Sequence, residues 1–326
     1  MNINPYFEQI ESTLWQGRTE VEPLQRIYQK IEVLNENVHH LSSLQDALCI
    51  MGFATDIGVM RNQGRTGAKA GPNIIRQMLA NLPYHPVNDK KNMKILDLGN
   101  INCPDNDLEA AQQKCAAEIV RIHEKKGFSL ILGGGHEIAW AHYLGLKDSH
   151  QVEDFAIVNF DAHFDMRPLV NGLGNSGTSF LQIAEHRRTL NHPFHYYCFG
   201  IRTQSNTQSL FETARKWNVN YLTCDDIYQQ SSALNEWVEA VLSKHQHIYL
   251  TVCMDVFSAS VAPGVSANSP YGLMPWQVLP MIDKFAHSGQ VIAMDIAEYA
   301  PSLDQDYITA KLAALIAANF INQYSR

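Results

Sequence analysis

The chain has 326 residues, 45% of them hydrophobic and 18% charged, with a formal net charge of −8. That composition excludes a disordered or fibrous chain, and the acidic balance without any Lys/Arg tract argues against a partner gripped by its phosphates. No run of about 18 apolar residues offers a membrane span, and the opening MNINPYFEQIESTLW, with two glutamates and no apolar core, does not read as a signal peptide, so a cytoplasmic protein is expected.

The length allows two domains, but a single α/β domain over residues 1–326 is equally ordinary. The first 50 or so residues read as a mainly helical, polar-rich extension. Gly64–Gly71 (GRTGAKAG) is a loop feeding a helix opened by Pro72. Lys94–Leu98 reads as a strand. Leu108–Lys126 reads as a helix, with Leu108, Cys115, Ile119 and Ile122 near one face and Asp107 able to cap it. Ser129–Leu132 is a strand running into GGGHE, and Phe155–Phe160 is a strand running into DAHFD. Further strands are expected at Tyr196–Ile201, Tyr221–Cys224, Ile248–Met254 and Val291–Ile296. Helices are expected near Thr207–Trp217, Ala233–His245, Pro275–His287 and Ile308–Tyr324. The strands are apolar throughout rather than alternating, the pattern of a parallel sheet covered by helices on both faces.

In such a sheet, ligands bind beyond the carboxyl ends of the strands. The polar clusters of this chain fall there: His136 after one strand, Asp161, His163 and Asp165 after another, Asp255 at the end of IYLTVCM and Glu298 after VIAMDI. In Asp161-Ala-His-Phe-Asp165, three ligand-type side chains at i, i+2 and i+4 share one face of an extended segment. Two carboxylates and an imidazole suit Mn²⁺, Fe²⁺ or Zn²⁺. Alone, DxHxD also suits a solvated turn, and His136 alone suits a hydrogen-bonded core histidine. Their meeting on adjacent strand ends favours a metal. Other motifs fail: His136-Glu137 is followed by Trp140 where HExxH needs histidine, GGG lacks the last glycine of a dinucleotide fingerprint, GRTGAKAG lacks the P-loop ending, and no GxSxG elbow exists. Six scattered cysteines with no CxxC pair read as reduced thiols, most of them small buried hydrophobes.

LGGGHE, NFDAHFD and a strand ending in Cys-Met-Asp followed by APG resemble the arginase/agmatinase (ureohydrolase) family of binuclear manganese hydrolases. WQGR at 15–18, GFATDIGVMRNQGRTGAKAGP at 52–72, DAHFDMRP, SGTSF, FGIRTQSNT and VAPGVSA are similar to the branch that acts on N-formimidoyl-L-glutamate in histidine degradation. The resemblance covers nearly the whole chain. It implies a three-layer α/β/α fold around a mostly parallel, eight-stranded sheet, and two Mn²⁺ ions bridged by a hydroxide that attacks the C=N carbon. By matched position, His136 and Asp165 would bind the first ion, His163 and Asp255 the second, and Asp161 both.

Two departures from the family pattern stand out. The family has Asp-x-Asp on the last ligand strand. Asp255 lies eight residues before Pro263, as the second of these does, so Cys253 replaces the bridging first one. A thiolate there is softer than a carboxylate and suits Zn²⁺ or Fe²⁺ better than Mn²⁺. It could bridge, bind one ion or stand by as a buried thiol, and it is expected to weaken one site. Second, Ser176 stands where arginases place a proton-shuttling histidine. The resemblance further implies that Asp165 moves the proton and Glu298 pairs with the cationic formimidoyl nitrogens. Arg65, Arg167 and Arg202 are candidates for the two substrate carboxylates, with Asn206 and Ser176 as further polar contacts. A homo-oligomer, trimer or hexamer, is implied. Competing expectations are another ureohydrolase (agmatinase, guanidinobutyrase or arginase) or a non-catalytic relative with an impaired metal site.

Overall fold

A strand that is apolar at every position must be covered on both faces, and the architecture meets that demand. The computed structural model describes residues 4–34, 42–86, 93–149 and 154–324. In chain order it contains β1 (Phe7–Glu8), β2 (Ile31–Val33), β3 (Ala47–Ala54), α1 (Ile57–Arg61), α2 (Gly71–Ala80), β4 (Lys94–Asn102), α3 (Leu108–Glu124), β5 (Phe128–Leu132) and α4 (Ile138–Asp148). There follow β6 (Ala156–Phe160), α5 (Ser179–Thr189), β7 (His195–Ile201), α6 (Gln208–Lys216), β8 (Asn220–Thr223), α7 (Cys224–Gln229), α8 (Ser231–Lys244), β9 (Ile248–Cys253), α9 (Pro275–His287), β10 (Val291–Ala297) and α10 (Ile308–Gln323).

Strands β3 to β10 form one parallel sheet in the order β4-β3-β5-β10-β9-β6-β7-β8. One hydrophobic layer joins the sheet to α2, α7, α8, α9 and α10, through residues such as Ile75, Ile227, Val238, Ile282 and Ile316. The other joins it to α3, α4, α5 and α6, through Ile119, Tyr143, Ile183 and Leu210. The expected three-layer sandwich with eight parallel strands is therefore present. Seven of the eight strands were expected from the sequence and match to within a few residues at each end. The eighth, β3, was not, although all eight of its residues are buried. Among the described residues, no helix is long and apolar enough to cross a membrane.

The N-terminal segment differs from expectation. Residues 4–34 are not mainly helical: they hold β1, β2 and two single 3₁₀ turns. Pro5, Gly17 and Pro23 interrupt the segment at intervals too short for a stable helix. Its apolar residues are spent on the outer edge of β4, which β1 pairs antiparallel and β2 pairs parallel. That covers a backbone edge otherwise open to another chain. The WQGR motif anchors the arm. The Trp15 indole donates to Asp97 Oδ2 at 2.7 Å. Asp97 also takes a two-pronged contact from Arg76 at 2.7 and 2.9 Å, and Asp97 and Arg76 are both fully buried.

Candidate metal centre and active site

Four strands that are consecutive in the sheet, β5, β10, β9 and β6, deliver their carboxyl ends to one rim. Beyond them lie His136, Glu298, Cys253 with Asp255, and the Asp161–Asp165 loop. Their turns are sterically specified. Gly133 and Gly134 adopt φ of 72° and 78°, and a Cβ on them would strike Pro72 and the Phe53 carbonyl. Two non-glycine residues also hold left-handed backbone, Asp165 (φ 47°) and Glu298 (φ 69°). Such strained positions persist where surrounding contacts over-determine them, commonly at functional sites. Glu298 N–H donates to the Gly134 carbonyl, and its Oε1 accepts from His136 N–H at 2.9 Å.

The side chains converge tightly. His136 Nδ1 lies 2.9 Å from Asp161 Oδ2 and 3.0 Å from Asp165 Oδ2. His163 Nδ1 lies 3.1 Å from Asp255 Oδ2 and 3.5 Å from Asp161 Oδ1. Two clusters with metal-ligand geometry result: His136, Asp161 and Cys253 form one, and Asp161, His163 and Asp255 form the other. Asp161 is common to both. Asp165 joins the first through its contact with His136.

Hydrogen-bond polarity makes this set one that calls for a cation. Thr251 has one hydroxyl proton and donates it to Asp295 Oδ1. Its oxygen, 3.0 Å from His136 Nε2, must therefore accept, so Nε2 carries the ring proton. In the neutral ring, Nδ1 then presents a lone pair to two carboxylate oxygens. Three electron-rich atoms at such distances require a cation among them, a proton or a metal. Asp255 Oδ1 is likewise buried without a hydrogen-bond partner.

The same geometry disperses proton affinities. Burial opposes charge on His136 and His163, yet the carboxylates Asp161 and Asp165 around the first, and Asp255 and Asp161 around the second, raise both imidazoles well above their ordinary range. Burial works against the Asp161 carboxylate as well, but the two imidazoles hold it low. Burial and then Asp161 push Asp165 up to about 6. Glu298 is raised well above its range by burial, then by Glu137 and Asp255. Burial, with Asp161, Asp255, Glu298 and Asp165 nearby, raises the Cys253 thiol too. A cation in the cluster lowers the proton affinity of every ligand, against the upward shifts of the imidazoles, Asp165 and Cys253 and in line with the shift of Asp161.

A cavity of about 470 Å³ opens onto His163, Asp165, Cys253, Asp255 and Glu298. Of the residues expected to meet substrate, Arg65, Arg167 and Ser176 line it. Arg65 spends Nε and Nη2 on the carbonyls of Val265 and Ser266, at 2.8–3.0 Å. Its Nη1 makes no hydrogen bond among the described residues. Arg167 is exposed in the cavity wall and forms no ion pair among the described residues. Ser176 Oγ accepts from Asn62 Nδ2 at 3.2 Å.

Arg202 and Asn206 do not line the cavity. Arg202 is buried, and its guanidinium donates to the carbonyls of Ala267 and Tyr271. Asn206 donates to the carbonyls of Ala162 and Arg202 and accepts from Phe164 N–H, so all its polar atoms clamp the Asp161–Asp165 loop. Both were expected to bind substrate, Arg202 because its loop flanks the cluster, but the hydrogen bonds they make are to backbone, and Arg202 Nε is buried without a partner among the described residues. Conversely, Asn62, Gln63 and Ser266 line the cavity without having been singled out. The RNQGR motif was the available signal for the first two.

The sequence profile described as Arginase family matches residues 46–322. The chain belongs to the arginase family. The profile begins just before β3, so the N-terminal arm lies outside it. Curated relatives within the family match over nearly their whole length. The formimidoylglutamase of Legionella pneumophila (strain Lens) is 44% identical over 311 residues, 95% of each chain. That of Ralstonia nicotianae is 40% identical over 96% of this chain and 95% of its own. Among solved structures, the formimidoylglutamase of Bacillus subtilis shares the arginase fold at a TM-score of 0.80 and 23% identity, over 94% of each chain. The Trypanosoma cruzi formiminoglutamase solved with Mn²⁺ does so at 0.77 and 24%, over 86% of this chain and 93% of its own.

Proposed function

We propose that the chain hydrolyses N-formimidoyl-L-glutamate to L-glutamate and formamide, a step of histidine degradation, with two Mn²⁺ ions per subunit. The relatives named formimidoylglutamase support the reaction, and the Mn²⁺ of the Trypanosoma cruzi protein supports the ion. The observation that carries the reading is the shared cavity: the imidazole–carboxylate cluster and two arginines face one space. His136, Asp161 and Asp165, with Cys253 beside them, would hold one ion, and Asp161, His163 and Asp255 the other. Two divalent cations there supply a water acidified towards neutral pH and a counter-charge for the transition state.

The chain's own residues do the rest. Arg167 and the Nη1 protons of Arg65 bind the two substrate carboxylates, as forked donors do. Glu298, screened from water, pairs with the cationic formimidoyl nitrogens and so orients the amidine carbon. Water adds to that carbon, and the bond from carbon to the α-nitrogen of glutamate breaks. Asp165, whose carboxylate lines the cavity beside the cluster, takes the water's proton and delivers it to the departing nitrogen. Ser176 cannot titrate near neutral pH, so its hydroxyl, oriented by Asn62, acts only as a hydrogen-bonding group. A cytoplasmic homo-oligomer goes with this reading.

A substrate panel tests it. Formamide release from formimidoylglutamate in the presence of Mn²⁺ and a thiol reductant is expected. Agmatine, which ends in an amine, should be repelled by the arginines. Turnover of agmatine, guanidinobutyrate or arginine without turnover of formimidoylglutamate would overturn the substrate assignment. Loss of turnover on all of them, with no Mn²⁺ bound, would make the chain a non-catalytic relative.

A further inference from the structure

A row of polar side chains runs through the apolar layer between the sheet and α3 and α4. Thr251 on β9 stands opposite Asp295 on β10, and Ser129 on β5 stands opposite Ala293, two positions back on the same face as Asp295. Asp295 Oδ1 accepts from Thr251, and Oδ2 accepts from the Tyr249 hydroxyl and lies 2.7 Å from His142 Nδ1 on α4. His142 Nε2 is 2.8 Å from Ser129 Oγ, which is 2.9 Å from His123 Nε2 on α3. Ser129, His142, Tyr249, Thr251 and Asp295 are all fully buried, amid Ile131, Tyr143 and Ala293. Burying so many polar groups is costly even when each is paired. Among the described residues the row meets the active centre through the contact of Thr251 with the Nε2 of His136.

We propose that Asp295 and His142 are positioning residues for His136, acting through Thr251, and that they preform the first cation site. A threonine hydroxyl rotates freely unless something fixes it. Asp295 Oδ1 fixes it, and His142 with Tyr249 holds Oδ2 so that Oδ1 stays on Thr251. The threonine oxygen can then only accept, which keeps the ring proton of His136 on Nε2 and leaves Nδ1 facing Asp161 and Asp165. Partners one step behind a ligand typically change metal affinity about 10–100-fold. The inference rests on the two-ion reading above.

Equilibrium dialysis against Mn²⁺ tests it, with unfolding of the metal-free protein followed in parallel. The parent chain should bind two ions. Thr251→Val, nearly isosteric, should weaken one of them about 10–100-fold and leave the other unchanged, and Thr251→Ser should restore binding. His142→Leu should weaken the same ion, while His142→Asn, which keeps a donor near the Nδ1 position, should bind within a few-fold of the parent. Because both act along one path, the Thr251→Val/His142→Leu double variant should be no weaker than the poorer single variant. Parent-like binding of both ions by folded Thr251→Val would overturn the proposal, as would additive losses in the double variant. Should His142→Leu not fold, the valine and serine variants at Thr251, with His142→Asn, still decide. A parent chain that binds no Mn²⁺ would instead refute the two-ion reading, and this inference with it.

Discussion

Cys253 is the residue on which the first of the two proposed ion sites turns. It clusters with His136 and Asp161, not with His163 and Asp255, so of the two proposed sites the first is the one that it would weaken. Its thiol is buried and holds its proton tightly, so an ion that uses the sulfur must first displace that proton. Cys253→Asp supplies a harder, already ionised ligand. We expect it to tighten Mn²⁺ at this site about tenfold, some 1.4 kcal/mol, in a manganese titration at neutral pH. Unchanged or weaker binding would mean that the sulfur does not limit the site. Glu137 gives a pH signature of the metal-free protein. Burial pushes its carboxyl from 4.5 up to about 7. The proton is therefore bound more tightly folded than unfolded, and this group's stabilisation is full below its ordinary range and lost as pH rises through about 7. A shift of that size is worth about 3 kcal/mol. Denaturant unfolding of Glu137→Gln should be flatter between pH 4.5 and 7.5 than that of the parent; an identical profile would show that Glu137 is ionised without penalty. The two arginines Arg167 and Arg202 separate binding from structure. Arg167→Ala should raise KM for formimidoylglutamate at least about tenfold, the loss expected for one charged hydrogen-bonded contact, and leave the unfolding midpoint in place. Arg202→Ala should do the reverse, losing about 2 kcal/mol of stability as two loop carbonyls lose their donor, with KM little changed.

At the scale of elements, seven of the eight parallel strands and α2, α3, α6, α8, α9 and α10 were readable from apolar runs, helical spacing and caps; Asp107, for example, does accept from Ala110 N–H at the start of α3. β3 was hidden because ALCIMGFA mixes alanine, cysteine, methionine and glycine among few β-branched residues, and it follows a polar segment. The arm was misread because its apolar residues follow no period: each is placed by a distant partner, as Trp15 is by Asp97, 82 positions away. The site divides the same way. Ligands at fixed spacing on one loop, Asp161, His163 and Asp165, were legible. Contacts that depend on how loops meet, such as Asn62 with Ser176 or Arg202 with the Ala267 carbonyl, were not. The arm's anchor is open to test. Trp15→Phe keeps the ring's bulk but removes its donor to a buried carboxylate, and should cost about 1.5–3 kcal/mol in urea unfolding. Asp97→Ala, which leaves Arg76 buried without a counter-charge, should cost about 3–5 kcal/mol. If Trp15→Phe matches the parent, the indole N–H contributes nothing to docking the arm.

The whole molecule serves one geometric end. A parallel sheet places the carboxyl ends of all its strands on one rim, and here four consecutive strands each bring an imidazole, a thiol or a carboxylate to it. Imidazoles and carboxylates otherwise repelled or forced to share protons become a coherent ligand set only when cations lie between them. Anomalous diffraction at the manganese edge, on crystals grown with Mn²⁺ and a thiol reductant, tests this most directly. Two peaks should appear per chain, one bonded to His136 Nδ1, Asp161 and Asp165 and the other to Asp161, His163 Nδ1 and Asp255. No peak in the cluster, with His136 and His163 instead bonded directly to the carboxylates as protonated imidazoles, would contradict the account.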